Sequence, residues 1–260
     1  MSWVQEWLLS HPAPPRQARP KGMEISYSQI RAFMDCPWLY KIVYVDRKRP
    51  PLHPKSSLGV SIHRALEAFH RTGGGDLEKL LGLYDEHWAH AGYSSAQEQM
   101  EWHRKGQRII ERCHAEEQQR RSEILAVEKD FLFPLEPHAV RGTIDRIDRR
   151  PDGEIEVIDY KTHLDIEGEE EAAQNLQLGI YGLGARESLG YEASWLTLYY
   201  VAAGRTVTVR YDPSREEEIA GLIARVADII VSSKGLKPET SACPACDFRN
   251  SCPHSAAKGT

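Results

Sequence analysis

The stretch Gly142-Thr143-Ile144-Asp145-Arg146-Ile147-Asp148, the turn Pro151-Asp152-Gly153, and the run Glu154-Ile155-Glu156-Val157-Ile158-Asp159-Tyr160-Lys161 decide the fold. Pro-Asp-Gly between two β-prone runs signals a turn, so the runs form a hairpin. Side chains alternate faces along a strand. Ile155, Val157, Asp159 and Lys161 therefore share one face, and an apolar surface runs directly into an Asp and a Lys. Thr143, Asp145 and Ile147 share a face of the preceding strand. Centring the turn on Asp152 sets Asp145 opposite Asp159 and Thr143 opposite Lys161. Opposed residues have Cβ atoms about 4.5–5.5 Å apart, where like charges destabilise. Two carboxylates there need a counter-charge. Lys161 supplies part of it. A hard divalent cation supplies more, because Mg²⁺ favours one or two carboxylates together with phosphate oxygens. The bland alternative is a surface hairpin of mixed charge.

On the N-terminal side, Pro12, Pro14, Pro15 and Pro20 interrupt any helix, so residues 1–24 read as a flexible tail. Within it, Trp3, Trp7, Leu8 and Leu9 offer a small apolar patch. The pattern predicts a helix near 28–45, capped at Ser26 or Ser28 and stressed at Pro37. Further helices follow over 57–71, 76–90 and 96–121. Arg104, Lys105, Arg108 and Arg112 read as a solvated face of the last, and Cys113 as a packed thiol. Strands are expected over 123–133, 139–149 and 154–161, then a helix over 170–188. A second hairpin spans 194–201 and 205–211. A final helix to about 233 is capped by Asp212 or Ser214. This order specifies an α/β class: a central mixed sheet flanked by helices, with an N-terminal helical elaboration. The expectation is one domain over 25–255, with a helical insertion at about 76–121 and a Cys-rich segment at 243–252.

Composition bounds the function. The 260 residues are 41% hydrophobic and 27% charged, a globular balance that excludes disordered and fibrous classes. No apolar run approaches the ~20 residues of a membrane helix, and the N-terminus lacks a secretory pattern, so a cytoplasmic protein without a membrane partner is expected. The net charge of −5 does not suit a nucleic-acid coat, but leaves room for a nucleic-acid enzyme with a local groove. The odd count of five cysteines argues against a disulfide framework. No Gly-x-x-x-x-Gly-Lys-Ser/Thr loop is present, so ATP-driven unwinding would come from another protein.

The hairpin, with Val157-Ile158-Asp159-Tyr160-Lys161-Thr162 as its second half, resembles the PD-(D/E)XK nuclease superfamily. It looks most like the branch containing the RecB and AddB nuclease domains and the CRISPR-associated iron–sulfur exonucleases. Gly59-Val60-Ser61-Ile62-His63, Gln177-Leu178-Gly179-Ile180-Tyr181, and Cys36 with Cys243, Cys246 and Cys252 carry the resemblance further, over about 25–254. The resemblance implies a restriction-endonuclease-like fold. It implies that Asp145, Asp159, His63 and the backbone carbonyl of Tyr160 bind one or two Mg²⁺ or Mn²⁺ ions, and that Lys161 positions or activates the attacking water. Glu128, on the strand before the hairpin, matches a supporting acidic position. Gln177 and Tyr181, four apart on one helix face, would contact DNA or the surroundings of the lysine. Taken alone, His63 and the Gln177/Tyr181 pair read as ordinary helix residues.

Three cysteines in one short loop, Cys243, Cys246 and Cys252, leave one ligand position, and Cys36 would staple the two chain ends by filling it. Thiolates suit a [4Fe–4S] cluster or Zn²⁺, and spacing alone does not separate them. The one-plus-three arrangement fits the iron–sulfur pattern of the resembling branch. His254 stands ready as a substitute ligand for zinc, and four unligated thiols are the plain alternative. The expected function is a metal-dependent DNA exonuclease acting on single strands or ends, in repair, recombination or CRISPR adaptation. A helicase or CRISPR adaptation proteins are the expected partners. The alternative is a nucleic-acid-binding or complex-forming module with weak or partner-dependent cleavage.

Overall fold

The computed structural model describes residues 2–11, 22–233 and 235–257. In chain order the elements are α1 (Trp3–Ser10), β1 (Glu24–Ile25), α2 (Tyr27–Asp35), α3 (Pro37–Tyr40), a π-helical turn (Lys41–Val45), α4 (Pro54–Arg71), α5 (Leu77–Glu86) and α6 (Ala96–Glu117). They continue with β2 (Glu123–Leu135), β3 (His138–Arg149), β4 (Ile155–Lys161), α7 (Glu169–Ala173), α8 (Leu176–Leu189), β5 (Ala193–Tyr200), β6 (Arg205–Arg210) and α9 (Glu216–Ser232). They group into two units. A hairpin unit comprises Leu52–Phe131 and Thr143–Asp212; a terminal unit comprises Met1–Pro51, Leu132–Gly142 and Pro213–Thr260.

In the hairpin unit β3 pairs antiparallel with β4, β4 parallel with β5, and β5 antiparallel with β6. This is the expected mixed sheet. The recorded β3–β4 register runs from Arg149↔Ile155 to Arg146↔Ile158, the register that centring on Asp152 demands. Gly153 makes the turn possible at φ 88°, and its N–H donates to Arg150 O at 2.9 Å. The hairpin is not a surface feature. Glu156 through Tyr160 are all buried, because β5 occupies the second edge of β4 and helices cover both faces. On one face, Ile158 and Tyr160 join Leu58, Ile62, Leu66 and Phe69 of α4, Leu80 and Tyr84 of α5, and Ile110 and Cys113 of α6 in a single core cluster. The α4 residues recur at helical spacing, which is why that helix lies flat on the sheet. α8 packs on β4 and β5. Its glycines admit other neighbours closely: a Cβ on Gly182 would lie 2.4 Å from Tyr211, after β6, and one on Gly184 would lie 2.7 Å from Phe131 of β2.

Arg146 points into the cluster side of the sheet and is only 2% exposed. Its guanidinium donates to both carboxylate oxygens of Asp148 at 2.6 and 2.7 Å and to both of Glu117 at 2.8 and 3.0 Å. Two carboxylates on one fork satisfy a charge that burial would otherwise penalise heavily. The pairing fastens the end of α6 to β3.

In the terminal unit β1 runs parallel to the start of β3, with Glu24↔Ala139 and Ile25↔Val140. Residues 3–10, expected within a flexible tail, form α1. Ser2 and Gln5 make a capping box, and the fully buried Val4 anchors the helix, which packs on α9. The remainder of that expected tail, 12–21, lies outside the described residues. The helix expected over 28–45 breaks at Cys36, whose extended backbone (φ −166°) is what a residue before proline prefers. The expected helix 170–188 is divided where Asn175 caps α8. The expected cap of the last helix shifts: a 3₁₀ turn, Pro213–Arg215, precedes α9, with Arg215 at the cap position. Cys113 is buried as expected. Arg112 leaves the solvated face and donates to Val201 O and Ala202 O at 2.7 Å.

Candidate active site

The C-terminal end of β4 carries the site. Asp145 and Asp159 lie on adjacent strands and are both buried. The Tyr160 N–H donates to Asp145 Oδ2 at 2.7 Å, so the neighbouring strand fixes that carboxylate directly. α4 delivers His63, whose Nδ1 is 3.8 Å from Asp145 Oδ2. Gly59, one turn earlier on the same face, explains how the helix comes so near. A Cβ there would sit 2.9 Å from Thr162 Oγ1, at the end of β4. β2 delivers Glu128, which sits in the left-handed region at φ 43°. A non-glycine residue there costs about 1–3 kcal/mol and is held only where its surroundings demand it. His63, Glu128 and Asp145 each offer a ligand atom, and these lie within 4.8 Å of one another.

A second chain of contacts leads away from Asp159. Lys161 Nζ is 2.7 Å from Asp159 Oδ2 and donates to Gln177 Oε1 at 2.6 Å. Gln177 Nε2 in turn donates to Asp159 Oδ1 at 2.8 Å and to the Tyr181 hydroxyl at 2.9 Å. The amide thus reads both charges of the Asp159–Lys161 pair at once. Of the two contacts expected for Gln177 and Tyr181, this is the one with the lysine's surroundings.

The electrostatics are lopsided. Burial, followed by the charge of Asp145, pushes the Glu128 carboxyl up to about 7. Burial raises Asp145 and Asp159 as well. The charge of Asp159 adds to the effect at Asp145, while Lys161 offsets it at both residues. Three carboxylates face one another with one ammonium among them. The donor set is one imidazole nitrogen with carboxylate oxygens, half-buried and short of positive charge. It fits a hard or borderline divalent cation, held by His63, Glu128 and Asp145, with Asp159 alongside.

The chain matches, over residues 24–253, the family model described as the PD-(D/E)XK nuclease superfamily. It belongs to that superfamily. It is a nuclease, and DNA is the substrate the family suggests; such nucleases generally use divalent metals. The chain is also 26% identical over 264 residues to the Gene 69 protein of Mycobacterium phage D29, covering 88% of this chain and 96% of that one. The crystal structure of SSO0001 aligns at 15% identity with a TM-score of 0.39, over 96% of this chain and 93% of that one.

Elsewhere in the nuclease, the terminal unit gathers the four expected cysteines around a cavity of about 250 Å³, lined also by Trp38, Arg249 and His254. All four are partly buried. The Glu239 N–H donates to Cys36 Sγ at 3.2 Å. The Cys246 thiol is raised by burial and then by the nearness of Cys252, Cys36 and Cys243. The break at Pro37 and the 3₁₀ turn Cys243–Ala245 bring the sulfurs to this cavity.

Sequence reasoning missed two residues beside the site. Asn175 donates through Nδ2 to both Glu167 oxygens, at 3.2 and 3.0 Å, while its Oδ1 caps α8. Glu167 is near enough to raise Asp159. Asn before an apolar helical run was the one available signal.

Proposed function

We propose that this nuclease is a metal-dependent deoxyribonuclease that removes nucleotides from single strands or DNA ends, with Mg²⁺ or Mn²⁺ held at His63, Glu128, Asp145 and Asp159 and at the Tyr160 carbonyl. The observation that carries the reading is the convergence of two carboxylates and an imidazole beside a lysine locked to a third carboxylate. A divalent ion in such a site lowers the pKa of a bound water and offsets charge on the phosphate. Lys161, pinned by Asp159 and Gln177, holds its ammonium where it can orient the attacking water and meet the charge that develops on the phosphate. Tyr181 keeps Gln177 from rotating away. Exonuclease action rests on the likeness of the motif order to the RecB and AddB branch, as does a place in repair, recombination or CRISPR adaptation. A helicase or CRISPR adaptation proteins would then supply the strand.

The same reading assigns a [4Fe–4S] cluster to Cys36, Cys243, Cys246 and Cys252. The one-plus-three order of the cysteines, as in the resembling branch, favours it over Zn²⁺. A bound cluster would serve as a structural cross-link.

The test is cleavage of end-labelled single- and double-stranded DNA by anaerobically purified protein, with Mg²⁺, Mn²⁺ or EDTA. Metal-dependent laddering is expected. It should vanish in Asp159→Asn and fall by about 10²-fold or more in Lys161→Ala, which keeps its affinity for metal. Undiminished metal-dependent cleavage by Lys161→Ala would overturn the assignment of that residue.

A further inference from the structure

The segment that follows Lys161, residues 162–168, borders the site through Thr162 and Glu167 and is pinned along its length. Thr162 packs against Gly59 of α4. The His163 ring meets the fully buried Tyr200 edge-on, with centroids 5.4 Å apart. The Tyr200 hydroxyl accepts the Glu167 N–H at 3.0 Å, and Asn175 grips both Glu167 oxygens. Between these pins two large apolar side chains face solvent: Leu164 is 62% exposed and Ile166 is 38% exposed. Single exposed apolar residues need no explanation. Two on a fixed loop, three and five residues beyond Lys161, are different. They lie within about 11 and 18 Å of it along the chain even at full extension.

We propose that Leu164 and Ile166 form an apolar wedge that contacts the bases flanking the scissile phosphate. This rests on the nuclease reading above, because a phosphodiester held at Lys161 brings its neighbouring bases to this loop. The charges beside the wedge say which part of the strand it meets. Asp165 lies between the two apolar residues, and Glu169, Glu170 and Glu171 follow, all exposed. Carboxylates repel the phosphate backbone, so the bases are the part of the strand that can approach. Apolar side chains inserted at a base step unstack it. The three pins provide the rigidity that unstacking requires: a free loop would yield before the bases did. Asn175 is then a positioning residue with two tasks, capping the helix that carries Gln177 and bracing the wedge.

The experiment uses the full chain with Lys161→Ala, so that the strand stays intact, in Mg²⁺. It reads short single strands carrying 2-aminopurine at one position in turn. Fluorescence should rise at one position next to the bound phosphate as that base unstacks. Leu164→Ser/Ile166→Ser should abolish the rise and weaken binding about three- to tenfold. It should leave the salt dependence of binding unchanged, since no phosphate contact is lost. Asn175→Ser keeps a helix-capping hydroxyl but lets go of Glu167, and should diminish the rise. A rise that persists in the double variant, or no rise at any position from a strand that binds, overturns the wedge while leaving the nuclease intact. Absence of metal-dependent cleavage by the unmodified protein overturns the reading beneath it, and the wedge with it.

Discussion

His70 lies on α4 and is 8% exposed. Its Nε2 is 3.3 Å from Arg146 Nη1. A guanidinium only donates, so that nitrogen accepts and the ring is neutral. Burial, followed by the charge of Arg146, lowers its pKa from 6.5 to about 4. Below about 6.5 the unfolded chain takes up a proton that the folded protein refuses. The stability His70 contributes is therefore full above 6.5 and is lost as pH falls towards 4, by about 3 kcal/mol at the limit. The raised carboxyls of Glu128 and Asp145 act with the opposite sign, losing stability as pH rises through their folded values. The informative quantity is therefore a difference between proteins. Urea midpoints from pH 7 to pH 4 should fall less in His70→Gln than in the unmodified chain; parallel curves would refute the assignment. Little of this network was legible in the sequence. Asp145, Asp159 and Lys161 declared themselves by alternation and a turn. Arg146 stands among them in the same motif, but arginine is so rarely buried that nothing local marks it as the centre of a buried cluster. Its partner Glu117 comes from a helix whose pairing with β3 no spacing rule reveals.

α4 shows how an element converts one small residue into site geometry. Gly59 and His63 are a turn apart, and the missing side chain at the first lets the second reach Asp145. Gly59→Ala places a methyl 2.9 Å from Thr162 Oγ1, so the helix or the threonine must shift, and His63 shifts with the helix. The expected result is a several-fold rise in the Mg²⁺ or Mn²⁺ concentration giving half-maximal cleavage. Thr162→Ala removes the obstructing hydroxyl and should restore most of the loss in the double variant, as coupled neighbours do. A double variant no better than Gly59→Ala would mean that the glycine serves the helix backbone instead. Helices and strands were mostly readable from periodicity. Their interruptions were less so. Cys36 before Pro37 announced a break only as stress within one helix. The Asn175 cap was hidden because good helix formers flank it on both sides, Glu169 to Gln174 before it and Leu176 to Leu178 after it. α1 was concealed by the prolines that follow it, although its Ser2-x-x-Gln5 box is a local signal.

At the scale of the whole molecule, the candidate site residues and the thiols belong to different units. His63, Glu128, Asp145, Asp159, Lys161 and Gln177 all lie in the hairpin unit, and Cys36, Cys243, Cys246 and Cys252 all lie in the terminal unit. The proposed cluster would link Cys36 to the C-terminal loop and close about two hundred residues of chain, and constraining a loop of that size contributes about 2–5 kcal/mol when the native geometry is unstrained. That stabilisation should be felt first where the link is made. Hydrogen exchange of anaerobic protein against protein treated with chelator and oxygen should therefore show protection lost over 27–45 and 238–254. The amides of β4 and α8 should exchange as before. Cys243→Ser should reproduce that pattern, lower the thermal midpoint, and carry less iron and sulfide than the unmodified chain. If exchange in β4 and α8 rises together with that in the cysteine segments, the link stabilises the nuclease core itself. The thiols would then have to be counted among the determinants of the active site, although none of them lies in the unit that bears it.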